Sequence, residues 1–300
     1  MKREAIPAVG LGDYRQSGLR GEGFVAVPYQ ESRAWNPALL SPHYHDFFQI
    51  SLIRGEALLM HDFREAKVSG HTLFFLSPGQ VHAVKSGAET DGTILSFTRE
   101  FFDAGAAGST ALLLELPFFY AADFPPWMKL PKPAIEPALA LFRELQGEFD
   151  AARPGAAEII RALLRILMVK ASRWRSPVRL ASSPKRADAM VRDFQLLVER
   201  HFREWQALTP YAKELGITAN HLNDVVADAT GRAAGEHVRQ RRLLDAKRHL
   251  LHSGLTIAEI GYALGFKDPS YFGRFFRRYE RCSPAEFREK IREKYQKAPR

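Results

Sequence analysis

The sequence predicts an α+β protein, strand-rich in its N-terminal part and helical in its C-terminal part. Short apolar segments broken by glycine and proline run to about Phe102, and apolar residues at three- and four-residue steps follow from Ala138. A helix-turn-helix pattern then occurs twice in the last third. The 300 residues suggest about two domains. A composition 46% hydrophobic and 26% charged is enough for real cores and excludes a disordered or collagenous chain.

Strands are expected over residues 23–29, 47–54, 56–60, 72–76, 81–85 and 93–97. Turn residues Gly55, Gly70, Pro78, Gly79, Gly87 and Gly92 separate them, a pattern that fits a sandwich or barrel. Residues 47–53 are largely apolar on both faces, as in a strand covered on both sides. A stretch rich in proline and aromatics, 117–137, interrupts the strands. Ala138, Leu141, Phe142, Leu145 and Phe149, then Ile159, Ile160, Leu163, Leu164, Leu167 and Met168, mark two amphipathic helices. These helices either pack on each other or form a dimer seam, and 134–175 is read as a helical dimerisation segment. Residues 176–185, with two prolines and serines, have the composition of a linker.

Beyond the linker the pattern is wholly helical. In the first unit Thr209-Pro210 looks like a cap followed by proline at the first helical position, and Gly216 marks the turn. In the second, Thr256 with Glu259 forms a capping-box pattern, Gly265 marks the turn and Asp268-Pro269 opens the next helix. An uninterrupted helix over about 234–252 separates the two units.

Net charge is +9 with pI ≈ 9.7, and residues 186–300 hold 22 Lys and Arg against 15 Asp and Glu. That excess suits attraction to phosphates by counterion release, and equally suits solubility. No apolar run approaches the roughly 20 residues of a membrane span, and no signal-type apolar region follows the N-terminus. The single cysteine, Cys282, excludes an internal disulfide and a cysteine-cluster zinc site. A cytoplasmic protein with no membrane partner is expected.

Specific residues sharpen the helical part. Ile257-Ala258-Glu259-Ile260, Leu264-Gly265-Phe266, Asp268-x-Ser270-Tyr271-Phe272, Arg274-x-Phe276-Arg277 and Ser283-Pro284-x-x-Phe287-Arg288 follow in order. This set resembles the signature of the AraC/XylS family of bacterial transcription regulators, and the likeness extends back to Thr209. The resemblance implies double-stranded DNA as partner, with two helix-turn-helix units joined by one long helix. Groove-facing positions would be Asn220, Asn223 and Asp224 in the first unit and Ser270, Gly273 and Arg274 in the second. Arg277 and Arg278 would lie nearer the backbone. Asn can read adenine and Arg guanine, each with two hydrogen bonds, whereas a phosphate contact only positions the protein. Asp224 would repel phosphate unless it accepts from cytosine, and Arg281 stands where the family commonly has glycine. Tyr271, Phe272, Phe275 and Phe276 are expected in the core.

In the first part, His43-x-His45, Gln49, Gly55 and Pro78-Gly79-x-x-His82 resemble the two halves of the cupin motif. The resemblance implies a cupin-like barrel at 20–105 with effector contacts from His43, His45, Gln49, Arg54 and His82; Arg54 and His61 are candidate anion anchors. Turn-shaping or purely structural roles for the histidines stay open, as does a metal held by His43, His45 and His82. Gln49 replaces the carboxylate that metal-binding cupins supply, so no cofactor is expected. Tyr211-Ala212, Leu215-Gly216 and His221-Leu222-Asn223 resemble the branch controlling breakdown of aromatic acids.

The implied protein is not an enzyme. The resemblance implies a homodimeric transcription activator with an effector of the aromatic-acid class in the barrel, DNA at 186–295, and RNA polymerase as a further partner. A metal-dependent cupin enzyme with an accessory helical domain is the alternative, and a nonspecific nucleic-acid-binding protein a third.

Overall fold

The computed structural model describes residues 7–13, 23–35, 41–62, 64–104, 113, 117–120, 125–175 and 186–296. The expected linker 176–185 lies outside the described residues. The chain divides into two compact units, one ending and the other beginning near residue 180.

The N-terminal unit carries eight described strands: β1 (Phe24–Pro28), β2 (Phe48–Arg54), β3 (Ala57–His61), β4 (Arg64–Val68), β5 (His71–Leu76), β6 (His82–Ser86), β7 (Asp91–Phe97) and β8 (Trp127–Lys129). They are divided between a five-stranded sheet, β1-β7-β2-β5-β8, and a three-stranded sheet, β4-β3-β6, with antiparallel neighbours throughout. β2 is buried on both faces for two reasons. Ile53, with Phe74 and Leu76 of β5, packs against Ala57 and Leu59 of the smaller sheet. Phe48, Ile50 and Leu52 on the opposite face join a larger cluster with helical residues. Each such buried side chain contributes roughly 1.5–3 kcal/mol.

Two strands and three short helices were not legible beforehand. β4 carries Arg64, Glu65 and Lys67 along an exposed edge, and β8 has three residues inside the stretch read as an interruption. The helices are α1 (Tyr29–Trp35), α2 (Arg99–Asp103) and α3 (Pro117–Tyr120). Helices α4 (Lys132–Ala151) and α5 (Ala156–Arg175) match the two amphipathic patterns. Phe142, Leu145, Phe149, Leu164 and Leu167 share one core with Phe24, Phe97 and Phe102, so these helices are part of the N-terminal unit. Ile159, Ile166 and Val169 remain exposed on one face of α5.

The C-terminal unit is all helical: α6 (Arg186–His201), α7 (Leu208–Glu214), α8 (Ala219–Thr230), α9 (Ala234–His252), α10 (Ile257–Ala263), α11 (Pro269–Glu280) and α12 (Pro284–Gln296). Helix α9 contributes Ala234 and Val238 to the first core and Leu243, Ala246 and Leu250 to the second. One continuous helix therefore holds both cores in fixed relation. The capping box of Thr256 and Glu259 is present. Thr209 is not a cap: α7 starts at Leu208 after Ala207, which makes no side-chain cap bond. Pro210 is tolerated one turn in because a first-turn N–H has no partner to lose.

Candidate functional site

Both helix-turn-helix units turn through a left-handed glycine, Gly216 at φ 68° and Gly265 at φ 77°. The Ile217 N–H donates to the Ala212 carbonyl and the Phe266 N–H to the Gly261 carbonyl, each at 3.0 Å. In both units this hydrogen-bonded chain reversal ends the first helix and leads into the second. Thr218 Oγ1 then accepts from the His221 N–H, and Asp268 Oδ1 from the Ser270 N–H. The hydrogen bond from Ser270 holds the Asp268 carboxyl below the usual carboxylate range.

Leu222 and Val226 anchor α8, while Phe272 and Phe276 anchor α11. Those anchors leave Asn220, Asp224, Ser270, Arg274, Arg277 and Arg278 exposed, with Asn223 and Gly273 half-buried. Ser270, Gly273, Arg274, Arg277 and Arg278 line one open concavity of about 630 Å³ with Ile257 and Pro284. Two residues differ from expectation. Asn223 Oδ1 accepts from the Ala234 N–H at 3.1 Å, capping α9 where Ala233 has no side-chain oxygen to do so. Tyr271 is 62% exposed instead of buried, and the Arg274 guanidinium lies 4.3 Å from its ring centroid. The Phe272–Phe276 pair already fills the buried seam, which pushes the preceding residue outward. Tyr271 thus joins the outward set, a placement periodicity alone cannot resolve at the margin of an apolar stripe.

A frame of ion pairs and hydrogen bonds also runs through this unit. Arg241 Nε donates to both oxygens of Glu199 at 2.9 and 2.8 Å, and Arg203 Nε donates to Asp245 at 3.0 Å. Burial alone would raise the Asp245 pKa, but Arg241 and Arg203 outweigh it and hold it low. Arg242 Nη2 donates to the Leu264 carbonyl at 2.8 Å beneath the Phe266 ring, and burial lowers its pKa to about 10.

In the N-terminal unit His43 pairs with His82 as an isolated antiparallel bridge, and His82 lies opposite His61 between β6 and β3. These three histidines form one rung on a shared face. The His45 ring sits 4.8 Å from His82 and stacks on Phe47 at 4.0 Å. His61 meets Phe74 edge-on, so the rung faces the inner surface of the five-stranded sheet. Gln49, Ser51, Thr72 and Ser96 share that inner surface with Phe74, by register. All four are buried.

The Nδ1 atoms of His43, His45 and His82 face the carbonyls of Ser41, Phe47 and Gln80 at 2.8, 2.7 and 3.1 Å. A carbonyl only accepts, so each Nδ1 carries the proton and each neutral Nε2 is an acceptor. Burial favours that neutral form. It lowers the pKa of His43, lowers His45 to about 3 and lowers His82 well below its ordinary value, with the neighbouring imidazoles adding to the last two.

The structure therefore brings together His43, His45 and His82, while Gln49 lies on the inner surface of the five-stranded sheet. Arg54 does not join them: it ends β2 at the surface and pairs with Asp91. The histidines do not fit a metal ion. Among the described residues no group of three or more His, Cys, Asp or Glu side chains could hold one, and Gln49 offers an amide in place of a carboxylate. No helix of the described residues is long and apolar enough to cross a membrane.

Comparison with known proteins agrees with both halves. A family model described as an AraC-like ligand binding domain matches residues 24–183, and a helix-turn-helix domain model matches residues 211–290. The HTH-type transcriptional activator RhaS of Citrobacter koseri is 23% identical over 251 residues, covering 82% of this chain and 87% of its own. The regulator ExsA of Pseudomonas aeruginosa is 27% identical over 125 residues, 41% of this chain and 45% of its own. The crystal structure of ToxT from Vibrio cholerae covers 90% of this chain and 98% of its own at 14% identity and TM-score 0.42. With the ligand-binding model alone spanning more than half of the 300 residues, the chain belongs to the AraC/XylS family of transcription regulators.

Proposed function

We propose that this chain is a cytoplasmic activator that binds its operator as a homodimer, responds to a small molecule in the N-terminal unit and recruits RNA polymerase. In this reading residues 20–105 sense, 134–175 carry the dimer contact, 176–185 link, and 186–295 bind DNA with α8 and α11 in successive major grooves. The observation that carries it is the outward row Ser270, Arg274, Arg277 and Arg278 on a helix anchored by buried Phe272 and Phe276. Arg274, held against Tyr271, reads a base; Arg277 and Arg278 hold phosphates. The exposed Ile159, Ile166 and Val169 support a second copy as the partner of α5.

The test is footprinting of the full chain on the intergenic DNA beside its own coding sequence, with unrelated competitor DNA at fixed salt. A protected segment preferred by about 10³-fold or more is expected. Equal affinity for unrelated DNA would overturn sequence-specific regulation. Sedimentation of Ile166→Glu at micromolar concentration should show a monomer; an unchanged dimer would move the dimer contact elsewhere.

A further inference from the structure

We infer that residues 203–206, between α6 and α7, form a brace that fixes the separation of the two second helices, α8 and α11, with Arg203 and Gln206 as its positioning residues. The brace goes beyond the proposed function. Only its consequence for DNA spacing rests on the reading that α8 and α11 enter successive grooves.

Helix α9 is one connection between the two cores, and it is thinly packed at its middle. Between Val238, the last α9 residue of the first core, and Leu243, the first of the second, lie Arg239, Gln240, Arg241 and Arg242. Neither hydrophobic core closes around that stretch. A long helix sets the distance along its own axis, but it curves and bends unless something beside it resists.

The chain after α6 supplies a second connection. Phe202 is buried in the first core and Trp205 packs against it, the same core that holds Leu222 and Val226 of α8. Between and beside these two rings the segment reaches the second unit. Arg203 donates to Asp245 Oδ2 from Nε at 3.0 Å and from Nη2 at 2.9 Å, beyond the point where α9 enters the second core. Gln206 Nε2 donates to the Gly265 carbonyl at 2.8 Å. The Arg203 carbonyl oxygen lies so close to Gly265 that a Cβ there would sit 1.9 Å from it. From α9, Arg242 Nη2 donates to the Leu264 carbonyl at 2.8 Å, with its guanidinium 4.2 Å from the Phe266 ring centroid.

The turn Leu264-Gly265-Phe266, which leads into α11, is therefore tied both to α9 and to a segment seated in the core of α8. Two routes from one core to one turn make a closed frame, which resists bending and twisting that a single helix would allow. Inserting one base pair between two groove contacts shifts one of them by about 3.4 Å along the duplex and roughly 35° around it. A braced pair of helices accepts one spacing, and an unbraced pair adapts to several.

The experiment measures the separation directly, in the full chain without DNA. Nitroxide labels are placed on α8 and α11 through Asp228→Cys and Arg278→Cys in a Cys282→Ser background, and the distance distribution is read by double electron–electron resonance. A single narrow distribution is expected. Arg203→Met together with Gln206→Ala should broaden it about twofold or more, as expected of a released hinge. Both side chains are exposed, so the fold should survive; Gln206→Ala alone gives the same reading if the pair does not fold. Thr256→Ala loses its capping bond to Glu259 outside the brace and should leave the width unchanged, which separates positioning from a general loss of stability. An unchanged width in the brace variant, or equal broadening by Thr256→Ala, overturns the brace.

A second arm uses the footprinted operator with one base pair inserted between the two contacted grooves. The parent should lose about tenfold or more in affinity and the brace variant about threefold or less. Equal penalties overturn the control of spacing. A parent indifferent to the insertion would overturn the two-groove reading, while the width measured without DNA still decides the brace.

Discussion

The two helix-turn-helix units share a frame and differ in what they present. Their turns have glycines within 10° of each other in φ and the same hydrogen-bond closure, and each second helix is 12 residues long. Yet α8 contains no Lys or Arg and carries Asp224 and Asp228, whereas α11 carries Arg274, Arg277 and Arg278. The frame follows from the turn and the buried anchors. Affinity follows from the outward residues, and the electrostatic part of it scales with the phosphates neutralised. The comparison predicts that symmetric architecture here supports asymmetric binding, with the second unit expected to supply most of the grip.

The largest expected effect separates the two turns themselves. A Cβ on Gly265 would meet the Arg203 carbonyl oxygen at 1.9 Å, where the backbone after α6 crosses the second turn and Gln206 donates to the Gly265 carbonyl. A Cβ on Gly216 would meet nothing within 4 Å. Gly265→Ala should therefore cost about 3 kcal/mol or more, through clash added to positive-φ strain. Gly216→Ala should cost only about 1 kcal/mol, from its positive φ. Urea denaturation of both variants measures the difference, and equal losses would mean that the turns are equivalent after all.

Next comes binding. Arg274→Ala should weaken operator affinity by about 1–3 kcal/mol and relax selectivity at one position. Asn220→Ala should cost less than Arg274→Ala if the second unit dominates. Competition binding against single-base operator variants decides this, and the reverse order would place the grip in the first unit. Asn223→Ala probes a third role. Losing the bond to the Ala234 N–H should lower stability by about 1 kcal/mol with selectivity retained. A selectivity change without loss of stability would return Asn223 to the groove-reading set.

Smaller still is a single phosphate. Arg277→Ala should reduce affinity on all sequences alike and lessen the slope of log K against log salt by about 0.9. The same change in slope from Lys213→Ala, on α7 of the first unit, would erase the electrostatic asymmetry.

How much of this was legible in the sequence varied with the range of the interaction responsible. Six strands were visible because apolar segments and turn glycines are local signals. The β4 strand was not, since an exposed edge strand with Arg64, Glu65 and Lys67 reads as surface loop. Helices α4 and α5 were visible as amphipathic patterns, but periodicity says which face is apolar and not what covers it. Their shared core with Phe24 and Phe97 had to come from the fold. The two-residue spacing of His43 and His45 pointed inward correctly, while Arg54, five residues beyond Gln49, turned out to be held at the surface by Asp91. The bond that Asn223 makes was hidden for a similar reason: its partner is a backbone N–H on the next helix, invisible to any reading of side-chain type.

The smallest effect concerns the close of the second recognition helix, where the two units differ by one side chain. Gly231 ends α8 at φ 75°, and Arg281 ends α11 at φ 61°, each donating its N–H to the carbonyl four residues back. The first unit uses the residue that occupies left-handed space without strain, while the second holds a residue with a Cβ there. Arg281→Gly should relieve that strain but leave the unfolded chain more conformational freedom, so the net gain should be below about 1 kcal/mol. Removing an exposed positive charge near α11 should also lower nonspecific DNA affinity slightly. Greater stability with slightly weaker, equally selective binding would mean that the second unit retains Arg281 for its charge at the expense of its backbone. A loss of stability instead would show that the arginine side chain makes up for its own strained backbone, and the two helix ends would then be alike in energy despite their different residues.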